Sequence, residues 1–132
     1  MKSETEIRVR YAEVDQMGVV HHSQYFVYLE VARTEALRAT GMTYRDVEGS
    51  GAYLVITRAE CRYRQPARYD DELVIETEIR RATSSRIDHR YAIRRKGDGA
   101  LIAEAETTLA CVSREGELCT MPESLLARLR GG

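Results

Sequence analysis

"SQYFVYLEVARTEALRA", residues 23–39, decides how the rest of this chain must be arranged. Its first half, Tyr25 to Ala32, is apolar nearly all round. A helix of that kind is enclosed by other structure rather than laid on a surface. Ser23 is placed to cap it and Gly41 to stop it, so the pattern predicts a helix over 24–39.

The flanks supply the enclosure. Residues 5–11 alternate, with Ile7, Val9 and Tyr11 on one side and Arg8 and Arg10 on the other, which predicts a half-buried strand. A short helical turn near 43–48 closes at "GSG". Four further strands are predicted at 53–64, 72–81, 86–95 and 100–113. In the first of these, Tyr53, Val55, Thr57, Ala59, Cys61 and Tyr63 share a face. Pro66 and "YDD" at 69–71, "KGDG" at 96–99 and "REGE" at 114–117 mark turns. Pro122 opens a short terminal helix. Consecutive strands in meander spacing imply an antiparallel sheet, here curved around one central helix. The fold class is therefore α+β, in a single domain over 1–132.

Composition sets limits. The 132 residues carry a net charge of −1, with 43% hydrophobic and 31% charged residues, as expected of a soluble globular domain. The balance gives no field toward nucleic acid or membrane. Arginine outnumbers lysine 18 to 2, which suits phosphate and carboxylate recognition but also follows from a GC-rich genome. Cys61, Cys111 and Cys119 form an odd set without CxxC spacing. They read as reduced core thiols of a cytoplasmic protein. No signal peptide or membrane span is expected. Residues 100–112 are poor in charge on both faces, so a second copy of the chain is expected to cover part of the outer sheet.

The loop before the helix carries the chemistry. Asp15 can attack a carbonyl or draw a proton from water, and burial near the helix start would raise its basicity. It can equally serve as a turn residue. Gly18 lets the loop bend and a ligand approach, or is a plain turn glycine. The amides of residues 22–25 point at one spot at the positive end of the helix dipole, so the His22 N–H suits a developing oxyanion. The His22 side chain orients substrate or Asp15, or bonds to backbone. Adjacent histidines without HxH or HxxxH spacing give no metal site. Tyr25, in the first turn, is the best candidate for a pocket wall. Arg80, Arg81, Ser84, Ser85 and Arg86 gather around a turn that can hold phosphates or pantetheine amides, with plain surface solvation as the alternative.

These residues also carry a resemblance. "RYAEVDQMGVVHHSQYFVYLEVARTE", residues 10–35, resembles the opening signature of hotdog-fold acyl-CoA thioesterases, in the branch of 4-hydroxybenzoyl-CoA thioesterase and the Tol–Pal-associated thioesterases. The matching positions are Tyr11, Asp15, Gly18, Val19, Val20, His21, His22, Tyr25, Glu30 and Arg33. "PARYDDELVIETEI" at 66–79 is similar to the family's second signature. His21 departs from the pattern, where relatives carry Tyr or Trp.

The resemblance implies a hotdog fold, a five-stranded sheet around a helix, with active sites at a subunit interface. It implies hydrolysis of an acyl-CoA thioester, with Asp15 as nucleophile or general base; His22, from its place at the helix start, is the second expected catalytic residue. Gly18, Val19, Tyr25, Ser84, Ser85 and Arg86 are the expected substrate contacts. No cofactor is implied, since coenzyme A is part of the substrate, and acyl carrier protein is an alternative carrier. The expected assembly is a dimer or a dimer of dimers, a homotetramer. The competing functions are a noncatalytic acyl-binding module and a hotdog hydratase or dehydratase.

Overall fold

The computed structural model describes residues 2–131. The strands are β1 (Lys2–Arg8), β2 (Tyr53–Tyr63), β3 (Glu72–Ala82), β4 (Arg86–Arg95) and β5 (Leu101–Val112). The helices are α1 (Gln24–Arg38), α2 (Tyr44–Gly49) and α3 (Glu123–Leu129), and Tyr11–Glu13 form a 3-10 turn. All strand pairings are antiparallel, in the order β1-β3-β4-β5-β2, and α1 lies against β1, β3 and β2. This is the hotdog arrangement expected from the sequence.

Burial along α1 follows helical spacing. Tyr25, Tyr28, Leu29, Ala32, Ala36 and Leu37 face inward. Ala32 and Ala36 have almost no side chain to hold the helix off the sheet, so it approaches closely. Gly41, at φ 91°, ends the helical segment in a conformation that L side chains rarely adopt. Tyr25, Tyr28 and Leu29 join Leu73, Ile75, Tyr91 and Ile93 in one apolar cluster. Leu37 joins Leu109, Cys111, Met121, Leu125 and Leu129 in a second one, under α3.

Five expectations are corrected. The first strand ends at Arg8, and Tyr11 lies in the 3-10 turn with its ring exposed. The four later strands are not a simple meander, because β2 pairs with β5 at the far edge. Residues 64–71 are too long for a tight hairpin and cross the sheet end, where Arg64 and Gln65 donate to the Ile102 carbonyl at 2.8 and 3.1 Å. The β2 face is not continuous, since a bulge between Ile56 and Arg58 switches the residues that sit opposite the buried β5 positions from Leu54 and Ile56, across from Cys111 and Leu109, to Ala59 and Cys61, across from Thr107 and Ala105. In the single chain α1 is not fully enclosed, because one sheet covers only one side of it and Phe26, Val27 and Val31 remain exposed. Finally, the outer sheet face is not apolar along β5. Arg58, Arg62 and Arg64 pair there with Glu60, Glu104 and Glu106, as exposed ion pairs of small individual weight.

A polar group sits in the middle of the inner sheet face. The Tyr91 hydroxyl and Thr107 Oγ1 are 2.6 Å apart, and the His89 ring stacks on Tyr91 at 5.8 Å. His89 Nδ1 and Thr77 Oγ1 are buried without a partner among the described residues. Burial, and then the nearby Arg33 charge, push the His89 imidazole down to about 4, although Asp88 works against this. Below the ordinary value of 6.5 the unfolded chain takes up a proton that the folded chain refuses. Stability is therefore expected to be full above pH 6.5 and to fall by about 3 kcal/mol as the pH drops toward 4. Urea unfolding across that range checks this, and His89→Leu should remove most of the slope.

Candidate active site

The loop between β1 and α1 is a small hairpin. Val14 bridges Val20, the Asp15 amide donates to the Val19 carbonyl at 2.9 Å, and the Gly18 amide donates to the Asp15 carbonyl at 2.9 Å. The turn requires Gly18 to hold φ 78°, and a Cβ there would meet open space. Its role within the chain is thus backbone conformation, not close packing. Asp15 Oδ1 accepts the Met17 amide at 2.8 Å, an Asx-type turn contact. Asp15 is exposed in the single chain, against the expectation of burial.

Glu13 fixes this hairpin to α1. It is 5% exposed, yet it carries a carboxylate with three donors. Oε1 accepts the Arg10 amide at 2.8 Å and the Tyr28 hydroxyl at 2.9 Å, and Oε2 accepts Arg10 Nε at 2.9 Å. Burial alone would raise the carboxyl, but the Arg10 amide, the Tyr28 hydroxyl and the Arg10 guanidinium together hold it below its ordinary value. Burial and the bond to Glu13 push the Tyr28 hydroxyl upward, so it stays a donor. The Glu13 carbonyl also accepts the His21 amide at 2.9 Å. One residue therefore grips the loop and the helix from both its backbone and its side chain.

The second signature segment supports the loop from the other side. Val9 exchanges hydrogen bonds with Asp70 and Asp71, and the Val20 amide donates to Ala67 at 2.8 Å. Arg95 holds that segment in turn, through Asp71 at 3.2 Å and the Pro66 carbonyl at 2.9 Å.

At the start of α1, the Ser23, Gln24 and Tyr25 amides already donate to His21 Nδ1, the His21 carbonyl and the His22 carbonyl, while the His22 N–H has no partner among the described residues. Ser23 does not cap the helix through its side chain. Its hydroxyl sits 2.8 Å from His21 Nδ1, because its backbone is already helical. The His21 and His22 rings lie 4.2 Å apart, and both residues are exposed. Val19, next to Gly18, is half-buried and bridges Arg68.

Tyr25 is buried, packed edge-on against Tyr28 and Tyr63, so in the single chain it is core and not pocket wall. Tyr63, half exposed, donates to the His22 carbonyl at 3.3 Å. The sequence reading gave no site role to Glu13 or Tyr63. Glu13 lies three residues from Arg10, a spacing too common to notice, and its contact with Tyr28 spans fifteen positions.

The structure does not bring the arginine-rich turn to this place. Ser84, Ser85 and Arg86 sit beyond the far end of β3, an 11-residue strand roughly 35 Å long. There the Arg86 guanidinium is bound to Asp88 at 3.0 Å. A depression of about 420 Å³ lies over the outer-face Arg and Glu residues, and neither it nor a second one near Thr40 is lined by Asp15, His22 or Tyr25. No group of three His, Cys, Asp or Glu suited to a metal occurs among the described residues, and none of their helices is long and apolar enough to cross a membrane.

A family profile described as "Thioesterase-like superfamily" matches residues 9–129. The chain belongs to that superfamily. It is 32% identical over 127 residues to the acyl-CoA thioester hydrolase YbgC of Escherichia coli O6:H1, covering 94% of this chain and 92% of that one. The crystal structure of hypothetical protein TT1821 from Thermus thermophilus is similar with a TM-score of 0.91 at 37% identity, over 99% of this chain and 97% of that one. A DHNA-CoA thioesterase from Staphylococcus aureus is similar with a TM-score of 0.86 at 29% identity, over 90% and 80%. The resemblance seen in the opening signature is thereby borne out, with a thioesterase as the enzyme class.

Replacing Glu13 tests how the site is held. Glu13→Ala should cost about 3 kcal/mol, because it strands the buried Tyr28 hydroxyl and the Arg10 amide. The carboxyl is lowered in the folded chain, so its stabilisation is full above about pH 4.5 and disappears as the pH falls through the folded value. Glu13→Gln should flatten that acid limb in thermal melts.

Proposed function

We propose that this chain hydrolyses acyl-CoA thioesters, releasing a carboxylic acid and free CoA, at a site formed by Asp15 and the N-terminus of α1. The observation that carries the reading is the Asp15 hairpin pinned by Glu13 to the helix start, where the His22 N–H is left free. A thioester needs an attacking oxygen and a donor for the charge that develops on its carbonyl. Asp15 Oδ2 makes no hydrogen bond among the described residues and is the attacker, directly or through a water whose proton it takes. The His22 amide, at the positive end of the α1 dipole, faces the developing oxyanion. Gly18 and Val19 line the approach.

The site is completed by a second copy of the chain. Phe26, Val27 and Val31 form an exposed apolar stripe on α1, and the free edge of β2 carries exposed Val55 and Ile56. A solvent-facing stripe of this kind beside an unpaired edge strand is the surface that self-association removes from water. It also adjoins Tyr63 and the helix start, so a second copy supplies the dry wall that Asp15 lacks alone. Ser84, Ser85 and Arg86 reach a CoA held at Asp15 only from that second copy, given the length of β3.

A thiol-release assay over a panel of acyl-CoAs tests the chemistry. Asp15→Asn should lower kcat by a factor of at least ~100 while CoA still binds. Retained turnover in that variant would sink the proposal. In a single turnover in heavy-oxygen water, label in the Asp15 carboxyl marks direct attack with the resulting anhydride opened by water at the Asp15 carbonyl, whereas the general-base route labels the released acid alone. Val27→Glu combined with Val31→Glu should yield monomers in sedimentation runs and lose turnover, although Asp15 is untouched.

A further inference from the structure

Two thiols lie in van der Waals contact away from the candidate active site. Cys111 Sγ and Cys119 Sγ are 3.3 Å apart. Cys111 is buried, one residue before the end of β5, and Cys119 is half-buried on the segment that folds back after it. The fold-back is a tight hairpin. Val112 bridges Leu118, the Ser113 amide donates to Glu117 at 2.7 Å, and the Cys119 amide donates to the Cys111 carbonyl at 3.0 Å. Cys111 and Cys119 therefore face one another directly across two short antiparallel segments. Residues opposed across antiparallel segments have Cα atoms about 4.5–5.5 Å apart, inside the span of roughly 4.4–6.8 Å that a disulfide bridges. The sulfurs must close by only about 1.2 Å.

We propose that Cys111 and Cys119 form a reversible dithiol–disulfide pair, oxidised by low-molecular-weight disulfides, that staples the C-terminal segment to the sheet. The steps balance through two thiolate exchanges. The Cys119 thiolate, the more accessible, attacks a small disulfide and releases one small thiol, leaving a mixed disulfide. The Cys111 thiolate then attacks the Cys119 sulfur, and a second small thiol leaves. One small disulfide is reduced to two thiols as the two protein thiols become one disulfide. Burial, and then the neighbouring Cys119, push the Cys111 thiol up to about 12, so it is held as a thiol and ring closure is the slower step.

The location gives the staple a consequence. Cys111 belongs to the apolar cluster with Met121, Leu125 and Leu129, which seats α3. The Met121 amide donates to the Ser84 carbonyl and the Cys111 amide to the Ser85 carbonyl, so the same few residues tie α3 to the β3–β4 turn. A bond at Cys111–Cys119 fixes the chain just before α3 and leaves the Asp15 loop, at the other end of β3, unaltered.

Incubation of the full chain with glutathione disulfide is the test. Of the three thiols, two should disappear from a thiol titration without a retained glutathione adduct, and dithiothreitol should restore them. Arg114 lies between the two cysteines, so trypsin should release two peptides joined by one disulfide. The oxidised chain should melt about 5 °C higher than the reduced one. Cys61→Ser should behave as wild type, and Cys119→Ser should form no intrachain bond. A stable glutathione adduct on Cys119, a bond through Cys61, or an interchain bond between two copies overturns the proposal.

Discussion

A carboxylate removed from water and held by three donors governs the geometry of the loop that leads into α1. Glu13 accepts from the Arg10 amide, the Arg10 guanidinium and the Tyr28 hydroxyl, while its own carbonyl accepts from His21. A buried charge of this kind is costly unless every lone pair is used, so its partners have little freedom to move. The hairpin carrying Asp15 inherits that rigidity. Without it the loop would be a solvated connection, and no fixed relation would exist between Asp15 and the helix start.

The remaining supports repeat the same logic with weaker interactions. Val9 and Val20 are hydrogen-bonded to residues 67–71, and Arg95 braces that segment from β4. The two stretches that carry the family resemblance are therefore one structural unit, joined across the end of the sheet. Their spacing in the chain hides this, because α2 and β2 lie between them. The exposed stripe on α1 completes the logic, as the helix is apolar on more sides than one sheet can cover.

Much of the fold was legible in the sequence. The alternation in 86–95 marks β4 to the residue, and the helix over 24–39 is observed over Gln24–Arg38. Asp15, Gly18 and His22 were legible as one turn leading into a helix, since turn chemistry and helix ends are local. Other features were not legible. The bulge after Ile56 shifts the β2 face by one residue, and no local pattern announces it. Ser84, Ser85 and Arg86 have side chains that suit phosphates and amides, but that chemistry says nothing about which end of a sheet a turn occupies.

The sequence by itself determined the elements, their type and the turn that carries Asp15, Gly18 and His22 into a helix, because periodicity and turn chemistry act within a few positions. Only the tertiary structure decided that β2 crosses to the far edge, that Glu13 joins the loop to Tyr28, and that Cys111 meets Cys119. Those outcomes depend on which distant segments share the space around one helix. That is a matter of packing and buried hydrogen bonds between residues far apart in the chain, and no short window of sequence records it.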